Sequence, residues 1–223
     1  MRLITFHYLR RENKSIFILS TKKIYLLRHG QTDYNLKGII QGSGVDSSLN
    51  ETGEWQAQRF YEAYKEVHFD KIYTSALKRS MQSVQGFINK GIPHEKHPEL
   101  NEICWGNREG TFVSPETDVY FFEILKQWQQ GDCHLSVEGG ESPEDVAARQ
   151  RVFLELLLSR PEEETVLICM HGRAMRIFLC VMLNYPLHSM DIFEHHNLCL
   201  YVLHYTGTMF SVHKHMDIAH LGE

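Results

Sequence analysis

The chain has 223 residues, with 23 Lys and Arg against 28 Asp and Glu and a formal net charge of −5, which is enough length for one sizeable hydrophobic core and one domain. The acidic balance excludes a general nucleic-acid surface, so an anionic ligand has to be caught by locally clustered arginines. The five cysteines, Cys104, Cys133, Cys169, Cys180 and Cys199, include no CxxC pair and fit reduced thiols in a cytosolic protein, which excludes a disulfide framework or a zinc ribbon.

Residues 1 to 22 hold scattered apolar residues broken by Arg10-Arg11-Glu12-Asn13-Lys14, without the continuous apolar core of a signal peptide. They read as an extension, either loosely ordered or adding an edge strand through Ile16 to Leu19. From Lys23 the run Ile24-Tyr25-Leu26-Leu27 predicts a buried strand that ends at Arg28-His29-Gly30. Ligands of open α/β sheets bind just outside the carboxyl ends of the strands, so Arg28 and His29 stand where a site is expected. The following loop, to Ser48, carries Gly38, Gly42 and Gly44, which permit close backbone approach to a ligand. Asn35 within it either contacts that ligand or closes an Asx-turn. Asn50 then reads as the cap of a helix running to about Val67, with Glu51 and Glu54 in its first turn. Its core stripe is Ala57, Phe60, Tyr61, Tyr64 and Val67.

A second strand, Lys71 to Ser75, feeds a helix that puts Leu77, Val84, Phe87 and Ile88 on one side and leaves Arg79 facing the strand ends. Gly91-Ile92-Pro93 closes that unit, and a short strand or extended connection leads through Pro98 and Leu100 to the carboxylate of Glu102. Ser114-Pro115 predicts the start of an aromatic helix to about Gln130, with Phe121, Phe122, Leu125 and Trp128 packing over the site as a cap. Ser142 and Asp145 form a capping box around Pro143, opening a helix to about Ser159 that buries Val146, Phe153, Leu156 and Leu157. Pro161 to Glu164 reads as a solvated loop. A third strand, Thr165 to Met170, ends at His171-Gly172, where a helix begins with its positive end toward the site. His171, Arg173 and Arg176 interrupt the apolar stretch from Val166 to Leu183, so it does not span a membrane. Leu198 to Tyr205 and Met209 to His215 predict a hairpin turning at Thr206-Gly207-Thr208. His195-His196 and the pair His213 and His215 read as exposed polar residues, because no cysteine or carboxylate stands at ligand spacing to complete a metal site.

Three strand ends thus present two arginines and two histidines, a set suited to gripping a phosphoryl group. The segments LLRHGQTDYN, SALKRS, LNEICWGNREG, GGES and MHGRAMR, in this order, resemble the histidine phosphatase superfamily, also called phosphoglycerate mutase-like, over residues 23 to 216. The resemblance implies an α/β fold of three layers, α/β/α, with a mostly parallel central sheet, and leaves 217 to 223 as a tail. It implies phosphoryl transfer through His29 as nucleophile, with Arg28, Arg79 and His171 stabilising the phosphoryl oxygens and Glu102 as proton donor. Asn35, Gln41 and Gly42 match positions that touch the substrate's phosphate or its leaving oxygen, and Glu109 matches a structural one. No metal and no cofactor are implied; the substrate class is a small-molecule phosphate ester, with no nucleic-acid or membrane partner. Neither the particular ester nor the oligomeric state is legible.

The superfamily contains hydrolases and mutases. A mutase must hold a bisphosphorylated intermediate beside the catalytic pocket, which calls for extra cations, and family mutases typically carry an arginine where this chain has Ile103. Between Ile103 and Glu141 only Arg108 and Lys126 stand against seven acids. The expectation is therefore a metal-independent phosphatase, with a phosphoglycerate mutase as the alternative. A noncatalytic phosphate-binding protein is the third reading, and the presence of Arg28, His29, Arg79, Glu102 and His171 together argues against it.

Overall fold

The apolar run near the start forms β1 (Lys22–Arg28), which alternates Ile24 and Leu26 toward one side and Tyr25 and Leu27 toward the other, all buried. A strand covered on both faces reads as a continuous apolar run for this reason. In the computed structural model, which describes residues 21–112 and 114–222, β1 lies inside a six-stranded sheet. Its other strands are β2 (Lys71–Thr74), β3 (His94–Lys96), β4 (Thr165–Met170), β5 (Leu200–Tyr205) and β6 (Phe210–Asp217), in the order β3-β2-β4-β1-β5-β6. The first four are mutually parallel, and the β5-β6 hairpin adds antiparallel to β1.

Helices cover both faces. Against Tyr25 and Leu27 pack α2 (Glu51–Tyr64) through Phe60, and α4 (Gln85–Asn89) through Phe87. Against Ile24 and Leu26 pack α5 (Val119–Gln130), α6 (Pro143–Leu158) and α7 (Gly172–Leu183), which contribute Trp128, Phe153 and Phe178. The result is the three-layer α/β/α architecture with a mostly parallel sheet. Register then builds the site: Arg28 pairs with Met170 and Thr74 with Cys169, so 28–29, 75 and 171 leave the sheet side by side.

Several local expectations change. The helix after Ser75 is broken at Val84, whose ψ of 14 at φ −120 ends α3 (Lys78–Ser83) and restarts as α4. The first, α1 (Asp33–Leu36), is a single turn inside the binding loop. α5 starts at Val119 rather than Ser114, because the Asp118 carboxylate takes the cap by accepting from Phe121 N, while the Ser114 carbonyl closes a separate turn with Thr117 and Asp118. The loop before β4 is not uniformly solvated. Glu163 is buried there, accepting from the Tyr73 hydroxyl, and Lys22 Nζ donates to the carbonyls of Arg160 and Glu163 at 2.5 Å each. Lys22 accordingly belongs to β1, and at the other end a turn at Ala219–Leu221 buries His220 edge-on against Phe60. The described fold thus exceeds 23 to 216 at both ends, whereas the proposed edge strand at Ile16 to Leu19 lies outside the described residues. The five cysteines are unpaired, Cys104 half-buried and the others buried. Among the described residues no helix is long and apolar enough to cross a membrane.

Candidate active site

His29 sits at the mouth of β1, 2 % exposed. Its Nδ1 lies 2.7 Å from the Gly30 carbonyl, and since a carbonyl only accepts, Nδ1 carries the ring proton and Nε2 keeps its lone pair. Gly30 is held in turn by donating to Ser83 Oγ at 2.9 Å, and a Cβ there would come within 2.8 Å of the Gly53 carbonyl and 2.9 Å of Leu198. Burial, then the charges of Arg79 and Arg28, hold the His29 pKa well below the usual histidine value, so the imidazole is neutral.

His171, fully buried, faces His29 with ring centroids 5.0 Å apart. Arg79 Nε donates to His171 Nδ1 at 3.2 Å, which leaves the proton on Nε2, donating to Ser75 Oγ at 2.7 Å. Burial and Arg79 depress this imidazole's pKa as well, so His171 is a neutral donor rather than a cation. Arg79 is anchored by two further bonds, NH1 to the Val45 carbonyl at 2.6 Å and NH2 to the Gly42 carbonyl at 3.2 Å. Burial draws its pKa down to about 10, which leaves it charged at neutral pH.

Glu102 occupies the N-terminus of α7. Its Oε1 accepts from Ile103 N at 2.9 Å and Ala174 N at 2.8 Å, and its Oε2 from Arg173 N at 3.1 Å. The orphan N–H groups of a helix start need acceptors, and here the carboxyl oxygens of Glu102 supply them. Arg28, His29 and Glu102 line one cleft of about 180 Å³, together with Asn35, Gln41 and Trp105. Arg79 and His171 lie directly behind it. All five expected catalytic positions are therefore brought together, three on the surface of the cleft and two supporting it.

Residues 24–218 match the sequence model of the histidine phosphatase superfamily (branch 1). The chain belongs to the histidine phosphatase superfamily. It is 29% identical over 202 residues to phosphoserine phosphatase 1 of Hydrogenobacter thermophilus, covering 90% of this chain and 95% of that one. It is 28% identical to a 2,3-bisphosphoglycerate-dependent phosphoglycerate mutase of Cytophaga hutchinsonii, covering 70% and 75%. Among solved structures it resembles YhfR of Bacillus stearothermophilus, with a TM-score of 0.80 at 26% identity over 90% of this chain and 99% of that one.

Within this histidine phosphatase, the three positions expected to touch substrate have different surroundings. Asn35 lines the cleft, and its Oδ1 also accepts from Thr32 N at 3.1 Å and Asn197 Nδ2 at 3.2 Å, which closes the capping box at the start of α1 rather than an Asx-turn. Gln41 is tied at both ends, Nε2 donating to Thr32 Oγ1 at 2.8 Å and Oε1 accepting from Ser47 at 2.7 Å. Gly42 does not line the cleft. Its open side is filled by Glu109, whose Oε1 would lie 2.1 Å from a Cβ, and its carbonyl holds Arg79. Glu109 also accepts from Trp105 N at 3.0 Å, as a structural residue would.

His195 overturns an expectation. Read as an exposed polar residue, it lines the cleft and accepts from Arg28 NH1 at 2.9 Å through Nδ1. Burial and Arg28 push its pKa down to about 2. His213 is otherwise engaged, stacked on His204 with centroids 3.5 Å apart. Ile39, Trp105, Gly172 and Arg173 are the other unforeseen lining residues. Spacing gave no signal for His195, which stands in the connection between α7 and β5.

Proposed function

We propose that this enzyme hydrolyses small-molecule phosphate monoesters through a phosphohistidine on His29, without a metal. The single observation that carries the reading is the Nδ1 bond from His29 to the Gly30 carbonyl, which leaves Nε2 unprotonated beside Arg28 in an open cleft. In the first step Nε2 attacks phosphorus and the bond to the leaving oxygen breaks, with Glu102 supplying the proton that oxygen needs. Arg28 and Arg79 stabilise the charge on the transferring oxygens, and His171, neutral and tied to Ser75 through Nε2, supports Arg79 from behind the cleft. In the second step Glu102 takes a proton from water, water attacks the phosphohistidine, and phosphate leaves with His29 restored.

The mutase reading draws support from the mutases among its relatives. Against it, Arg108 is ion-paired with Asp118, Lys126 lies 3.8 Å from Glu123, and Ile103 is fully buried, so none supplies a free cation for a second phosphate. The unpaired thiols, four of them buried, support a reducing, cytoplasmic setting. His29→Ala should abolish hydrolysis of 4-nitrophenyl phosphate and the acid-labile phosphoenzyme; retention of both would remove His29 as nucleophile. A metabolite panel read for phosphate release, with 2- and 3-phosphoglycerate interconversion measured alongside, separates the two activities. Interconversion much faster than release would establish the mutase.

A further inference from the structure

Arg28 and Arg79 are held in different ways. Arg79 donates to a ring nitrogen and two carbonyls. The Arg28 side chain makes one hydrogen bond among the described residues, from NH1 to His195 Nδ1 at 2.9 Å, and its buried Nε has no partner there. The direction of the Arg28 fork therefore depends on His195. A guanidinium only donates, so Nδ1 is the acceptor and the His195 ring proton sits on Nε2. The ring lies flush against Gly172, where a Cβ would stand 3.0 Å from both Cε1 and Nε2 and 3.4 Å from Arg28 Nε. Gly172 thus leaves room for the imidazole and the guanidinium together.

A carboxylate in place of His195 would orient Arg28 equally well but would cancel the charge needed for a phosphoryl group. A neutral imidazole fixes the fork and leaves the cation whole. We infer that His195 is a positioning residue, which aims the Arg28 guanidinium at the phosphoryl group without neutralising it. This rests on the reading of Arg28 as a phosphoryl ligand. The depressed pKa of His195 is consistent with it, since the ring stays an acceptor throughout the neutral range.

Three substitutions separate orientation, charge and bulk. In H195N the amide oxygen takes the place of Nδ1; in H195F the ring volume remains without an acceptor; in H195D the acceptor carries a charge. The readouts are orthovanadate inhibition and the separate kcat and KM for 4-nitrophenyl phosphate, with H195L in reserve as a second apolar variant should H195F fail to fold. The expected result for H195F is a loss of about 10- to 100-fold in both kcat and vanadate affinity, the range of a charge-assisted hydrogen bond. H195N should recover to within about 3-fold of the parent, and H195D should remain as weak as H195F. Parental kcat and vanadate affinity in the apolar variant, or H195N no better than H195F, would overturn the positioning role. Parental vanadate affinity in H195D would overturn the requirement for neutrality. R28A is the control on the premise: if it binds vanadate like the parent, the phosphoryl-site reading falls and the inference with it, whereas weak R28A with unimpaired H195F rejects His195 alone.

Discussion

Glu102 is delivered by the segment Pro98–Asn101 and the turn after it, and one arginine of α6 ties that segment to Glu141. Arg149 donates Nε and NH2 to the two oxygens of Glu141 at 2.8 and 3.0 Å, NH1 to the Glu99 carbonyl at 2.7 Å and NH2 to the Glu102 carbonyl at 3.2 Å, while Glu141 accepts from Cys104 N at 2.9 Å. The pair is 20% and 27% exposed, so it is largely shielded from solvent screening. Arg149→Ala strips four bonds and leaves the Glu141 carboxylate and two carbonyls short of donors. Charge-assisted bonds are worth about 1.5 to 3 kcal/mol each, but exposure and entry of water lower the sum, and a net loss of about 3 kcal/mol is expected. For a domain of this size that lowers Tm by roughly 6 to 12 °C. Urea denaturation of R149A, E141Q and the double variant measures it, with the two single losses expected to be strongly non-additive. A loss below about 1 kcal/mol in R149A, or full additivity in the double variant, would refute the clamp.

Glu102→Gln should cost more with a poor leaving group than with a good one, since only a poor one needs the proton. About 100-fold or more is expected on an alkyl phosphate and under about 10-fold on 2,4-dinitrophenyl phosphate; equal losses on both would reject Glu102 as the acid. Gly42→Ala drives a methyl to 2.1 Å from Glu109 Oε1 and 2.5 Å from the Ile103 carbonyl, so it should raise KM for 4-nitrophenyl phosphate by disturbing the carbonyl that holds Arg79; an unchanged KM would show that the loop adapts. Stability should fall on acidification below the unfolded histidine pKa of about 6.5. His29, His171 and His195 all have depressed folded pKa values, so the unfolded chain binds more protons. Each then contributes a stability that is complete above pH 6.5 and lost by about 1.4 kcal/mol per pH unit below it. Unfolding at pH 5.5 should take up close to three protons from this trio, about 0.9 each, and uptake below two would contradict their burial as neutral rings.

What the sequence made legible followed from short-range physics. The runs at β1 and β4 are apolar because both faces are covered, Ser142 and Asp145 cap α6 as their spacing demands, and the strand ends carry Arg28, His29 and His171 to one side of the sheet. Helix starts were less secure where two caps compete, as Ser114 and Asp118 do, since tertiary partners decide between them and Asp118 has Arg108. Glu163 and His195 were misread for a common reason. Each is a polar residue in a connecting segment, where solvation is the ordinary expectation. Their burial is decided by residues far away in the chain, Tyr73 for one and Arg28 for the other.

The electrostatics of the cleft impose a division of labour that no local pattern carries. Arg28 and Arg79 are fixed cations, and their field, added to burial, denies a proton to every imidazole nearby. Three neutral rings can then do three different things. His29 offers a lone pair because Gly30 holds its only proton; His171 spends its lone pair on Arg79 and its Nε2 proton on Ser75; His195 spends its lone pair on Arg28. Were any ring to protonate, it would lose its acceptor and turn a hydrogen bond or a nucleophile into a repulsion. The arginines that attract the phosphoryl group are thus the same groups that keep the nucleophile ready for it.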